Sequence, residues 1–73
     1  MRKENAIDIL EKYLGPKYVI LECFSEENGC FQFRVKEKED LNDDSIFPDI
    51  YGVDANTGKI LNGGEVLIRN GDL

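Results

Sequence analysis

With seventy-three residues, fifteen of them acidic, nine basic and none histidine, this chain has room for one domain, of a size that buries only about 60% of its unfolded surface. A deep substrate cavity beside a core is not expected in so short a chain. The net charge of −6 opposes nucleic-acid binding through phosphates, which needs clustered Lys and Arg, and the absent histidine removes the commonest general base and zinc ligand.

Residues 3–14 place Ala6, Ile7, Leu10, Tyr13 and Leu14 at helical spacing, with Glu4, Asp8, Glu11 and Lys12 on the other side. The early acids and the late Lys12 suit the helix dipole, and Gly15-Pro16 stops the helix, Gly as a left-handed cap and Pro as a residue that cannot continue. A helix this short is marginal alone, so its apolar stripe must pack on a partner.

That partner is a hairpin. Residues 18–25 and 30–36 alternate apolar and polar side chains with the period of half-buried strands. Taking Glu27-Asn28-Gly29 as a three-residue loop sets Cys23 opposite Phe33, Glu22 opposite Arg34, Leu21 opposite Val35 and Phe24 opposite Gln32. Val19, Leu21, Cys23, Phe31, Phe33 and Val35 then face the helix, and Glu22 and Arg34 pair on the other side. In this register Cys23 and Cys30 point to opposite faces and stay separate thiols.

After the hairpin, Glu37 to Ser45 is polar and aperiodic, hence a loop. Residues 50–54 read as a third strand and 59–61 as a short fourth, joined by Ala55-Asn-Thr-Gly58. Asn62-Gly-Gly64 is a further turn, and residues 65–69 are an optional fifth strand leading into the tail Asn70-Gly-Asp-Leu73. The fold class is therefore α+β: one N-terminal helix on an antiparallel meander of four to five strands, residues 1–73 forming a single domain.

The charge is localised. From Glu37 to Asp54 seven acids (Glu37, Glu39, Asp40, Asp43, Asp44, Asp49, Asp54) stand against Lys38 alone, which gives −6; the remaining eight acids and eight bases balance. Such a field steers association with a basic partner. Glu39, Asp40, Asp43, Asp44 and Asp49 are the candidate binding residues, with the solvated loop as the competing reading. Asp40-Leu-Asn-Asp-Asp44 also offers oxygen ligands for calcium, but lacks the ligand periodicity, central Gly and terminal Glu of a helix-loop-helix site. A second candidate surface is the sheet face away from the helix, where Ile20, Phe24 and Arg34 lie among polar neighbours.

No catalytic constellation assembles. A Ser–His or Cys–His pair is ruled out by composition; Ser25 and Ser45 sit at turns where hydroxyls serve the backbone; Asn62-Gly63-Gly64 lacks the Lys or helix of a phosphate loop. No cofactor and no metal site is expected, and the chain is not read as an enzyme. No run approaches the ~20 apolar residues of a membrane span and none resembles a signal peptide, so a cytoplasmic location is expected.

Tyr51-Gly-Val-Asp-Ala-Asn-Thr-Gly-Lys-Ile-Leu61 resembles the closing hairpin of PepSY-type domains, in which a Tyr-x-Val-Asp strand turns through Thr-Gly and returns as Lys-Ile/Val-Leu. The order of helix, then strands, then this hairpin is similar to theirs. The resemblance implies a helix packed on an antiparallel sheet and a binding or inhibitory role, as in metalloprotease propeptides. The lack of a secretion signal or neighbouring domain departs from that pattern. The functional expectation is a small acidic cytoplasmic protein that binds and inhibits a protein with a basic surface, with a PepSY-like peptidase inhibitor or accessory domain as the alternative.

Overall fold

In the computed structural model, which describes residues 1–71, the first helix, α1, spans Lys3–Leu14, as its apolar spacing predicts. Ala6 and Leu10 are fully buried and Ile7, Ile9 and Leu14 pack around them. Tyr13 is the exception: it stays exposed, its ring edge-on to Tyr51 at 6.2 Å. Gly15 closes the helix at φ 82°, donating its N–H to the Glu11 carbonyl at 2.9 Å, a conformation that Gly adopts without a Cβ penalty.

Four antiparallel strands follow in chain order and lie side by side in that order: β1 Tyr18–Ser25, β2 Cys30–Glu37, β3 Asp49–Asp54 and β4 Ile60–Leu61. The β1–β2 turn differs from the three-residue loop expected. Asn28 and Gly29 both have positive φ (59° and 68°), and the Cys30 N–H donates to the Glu27 carbonyl at 3.2 Å. This is a two-residue Asn-Gly connection of the type whose twist matches that of the strands. It sets Ser25 opposite Gln32 rather than Phe24.

Two bulges in β1, at Phe24 and at Leu21, then shift the register twice. The first restores the expected pairs Cys23–Phe33 and Glu22–Arg34; the second places Ile20, not Leu21, opposite Val35. The helix-facing side of β1 therefore comprises Tyr18, Ile20 and Cys23, and Leu21 is left exposed. Against α1 these residues complete a core around Phe33, Val35 and Val53.

Residues 65–69 do not form a fifth strand. They belong to a second helix, α2, Gly63–Asn70. Its start is secured by a capping box: Asn62 Oδ1 accepts from the Glu65 amide at 2.9 Å, and Glu65 Oε1 accepts from the Asn62 amide at 3.3 Å. Gly71 ends it in the left-handed conformation. The helix covers the second face of the sheet, where Val66 closes a small core with Cys30, Leu61 and Ile50. Gly52 permits that approach: a Cβ there would lie 2.6 Å from Cys30 Sγ and 2.8 Å from Val66 Cγ2. The result is a three-layer arrangement, α1–sheet–α2. The tail residues Asp72 and Leu73 lie outside the described set.

Within the second layer sits a buried amide pair. Gln32, 1% exposed, donates from Nε2 to Asn70 Oδ1 at 2.8 Å and accepts at Oε1 from Asn70 Nδ2 at 3.0 Å. Asn28 of the hairpin turn adds a bond to Asn70 Oδ1 at 2.9 Å. Burial of an amide is costly unless it is bonded in this way, so the pair ties α2 to one position on β2.

Candidate protein-binding surface

The segment between β2 and β3 carries the acidic residues singled out above, and local hydrogen bonds order it. Lys38–Asp40 forms one 3-10 turn, after which the Asp43 amide donates to the Asp40 carbonyl at 3.1 Å and the Ile46 amide to the Asp43 carbonyl at 3.2 Å. Asp43 Oδ1 accepts from both the amide and the hydroxyl of Ser45, at 3.0 and 2.5 Å. These bonds hold the Asp43 carboxyl below its usual range, with Lys36 adding to the effect. Lys36 Nζ anchors the segment to the sheet by donating to the Asp43 carbonyl at 2.9 Å.

Glu39, Asp43, Asp44 and Asp49 are exposed and Asp40 half-exposed. Among the described residues none of the five lies in an ion pair. At the start of the segment Glu39 sits against Glu37; their hydrogen bond and mutual repulsion raise the Glu39 carboxyl above its ordinary range. Asp54 departs from the group. It lies at the far end of β3, bonded to Arg69 at 2.8 Å, and adds nothing to the field of the loop.

The same segment presents apolar side chains to solvent. Phe47 is 87% exposed, and Leu41 and Ile46 are also open to solvent. The signal lay in Ile46-Phe47-Pro48, an apolar run inside a polar loop with no period to place it in a core. An exposed aromatic flanked by unpaired carboxylates has the composition of an interface anchor with a charged rim.

The second candidate surface is assembled only in part. The bulge at Leu21 turns Ile20 to the α1 side, where it joins the core. Phe24 and Arg34 do meet: the guanidinium carbon lies 4.2 Å from the ring centroid, and Arg34 is ion-paired with Glu22. This cluster satisfies itself and leaves Arg34 largely committed.

For catalysis and metals the geometry adds little. Ser25 Oγ accepts from the Glu27 amide at 3.2 Å and Ser45 is held by Asp43, so both hydroxyls serve turns. The two thiols are free, Cys23 half-buried and Cys30 buried; burial pushes the Cys30 thiol up, away from the nucleophilic thiolate. Among the described residues no cluster of three potential His, Cys, Asp or Glu ligands occurs, and no helix is long and apolar enough to cross a membrane. Comparison of the chain with protein-family models, curated proteins and solved structures gives no match.

Proposed function

We propose that this chain is a small acidic cytoplasmic protein that binds and inhibits another protein, docking the segment Glu37–Asp49 onto a basic surface. The observation that carries this reading is the exposure of Phe47 on a loop whose carboxylates have no ion-pair partner among the described residues. Glu39, Asp40, Asp43, Asp44 and Asp49 supply the field that speeds encounter, and Phe47 supplies the apolar contact that holds the complex. The Asp43–Ser45 and Lys36–Asp43 bonds order the loop before binding, which reduces the entropy lost on association. Size and localised acidity suit an immunity protein for a toxin, or a phage product that disables a host defence.

The test is affinity capture from the source organism with three baits: the unaltered chain, Phe47→Ala, and a variant with Asn at Asp40, Asp43, Asp44 and Asp49. The reading expects a protein with a basic surface that the unaltered chain retains and inhibits, and that both variants release. Equal capture by all three baits overturns it.

The PepSY-like alternative draws on the order of elements and on the Tyr51–Leu61 hairpin, whose Asp54 carboxylate accepts from the Asn56 and Thr57 amides. In that reading the chain inhibits or assists a peptidase. A panel of purified peptidases separates the two, since inhibition there that survives neutralisation of the loop would favour the alternative.

A further inference from the structure

A second surface, which shares Lys38 with the acidic segment, runs along the free side of the sheet. β1 is the outermost strand, and among the described residues nothing pairs with its outer edge. Its residues 18–23 line, in unbroken succession, an open groove of about 770 Å³ that is also lined by Lys3, Ile7, Glu11 and Lys12 of α1 and by Lys38. The strand itself contains neither Lys nor Pro, two of the devices that natural edges use against pairing.

The groove is charged by its neighbours. Of the nine basic side chains, Arg34 and Arg69 are in ion pairs and Lys36 is bonded to the loop. Among the remaining six, Lys3, Lys12 and Lys38 line this groove. Its acids are Glu11 and Glu22, and Glu22 is engaged by Arg34. A chain of net charge −6 thus sets a locally positive rim along the outer edge of β1.

We infer that the outer edge of β1 is a docking strand for an extended acidic segment of a partner protein. Main-chain bonds to β1 would hold the segment, and its carboxylates would meet Lys3, Lys12 and Lys38, the strand-addition mode of peptide recognition. A second copy of this chain fits less well. A two-fold axis sets the same patch against itself, bringing lysines onto lysines.

The test is amide NMR of the purified chain titrated with a peptide of about ten residues that alternates Glu with Val and Thr. Controls are the same peptide with Lys for Glu, and with Pro at alternate positions. The inference expects shifts and slowed exchange at residues 18–23 with the acidic peptide alone. Affinity should weaken about tenfold in Lys3→Glu/Lys12→Glu, both exposed, and fall with added salt in the unaltered chain, which frees the test from the folding of the variant. Equal binding of the Lys or Pro peptide, or absence of any β1 response, overturns it. So do concentration-dependent β1 shifts without peptide, which would make a second copy the occupant.

Discussion

Arg69 of α2 donates to Asp54 Oδ2 at 2.8 Å while Oδ1 of the same carboxylate accepts from the Asn56 and Thr57 amides at 2.8 and 2.9 Å. One side chain thus joins the last helix to the β3–β4 turn. The adjoining backbone brings in the first hairpin, through the Ala55 amide donating to the Gly29 carbonyl at 2.9 Å. The Arg69 bond and the two turn amides hold the Asp54 carboxyl far below the usual range.

Because the folded-state pKa of Asp54 lies below that of an unfolded Asp, about 3.9, the folded form takes up the proton later than the unfolded form as pH falls. The stabilisation is complete above about pH 4 and is lost progressively below it. Urea midpoints measured between about pH 2 and 7 should fall at the acid end in the unaltered chain. Asp54→Asn should lower the midpoint at neutral pH and flatten the acid dependence. An unchanged acid slope would place the titrating group elsewhere.

The Gln32–Asn70 pair makes a prediction about coupling. Asn70→Leu leaves the buried Gln32 Oε1 without its donor and should destabilise the chain by about 1–3 kcal/mol. Replacing Gln32 by Leu in the same molecule removes the orphaned group, so the double variant should be more stable than the Asn70→Leu single. A double-mutant cycle on denaturant midpoints reads the difference.

Gly52 lies where β3 packs against Val66 of α2 and Cys30 of β2. Gly52→Ala forces a methyl against Cys30 Sγ and Val66 Cγ2, an overpacking that costs about 1–3 kcal/mol. Val66→Ala in the same background should recover part of that loss, although alone it opens a cavity. Additive losses in thermal melts would show that the clash is relieved by some other movement.

Leu10 is fully buried between α1 and the sheet. Leu10→Ala should cost about 2–5 kcal/mol, a large share of the roughly 5–15 kcal/mol that stabilises a domain. Leu10→Asp adds an unpaired buried carboxylate and should leave the chain unfolded by circular dichroism. Phe47→Ala, at 87% exposure, should leave the melting curve within about 0.5 kcal/mol of the original, so lost binding in that variant reports on the interface.

Much of this fold is legible in the residues. The helix ends, both long strands and the β3–β4 turn follow from apolar period and from Gly15, Gly29 and Gly58. The second helix is not read because Val66-Leu67-Ile68 is as strand-prone as it is helical, and two glycines precede it. Asn62 and Glu65, three apart, are the cap that would have identified it. The turn type was available in the dipeptide Asn28-Gly29. The bulges were not, since nothing in Leu21 or Phe24 marks them as surplus to the ladder.

For the candidate site, the charge of the loop is legible by counting, whereas its membership is not. Asp54 belongs with the other acids in sequence and with Arg69 in space, fifteen residues away. Phe47 is a side chain whose role depends on lacking neighbours, which period and composition do not reveal.

The bulged edge has a genetic corollary. β1 spends eight residues on six pairings with β2, so it carries two positions in reserve. Loss of the codon for Leu21 or for Phe24 would leave every remaining strand pair in place and every side chain on its own side, although without Phe24 the Arg34 guanidinium would lose the ring beneath it. The regular central strand β2 has no such slack: a missing codon there would turn half of its residues inside out.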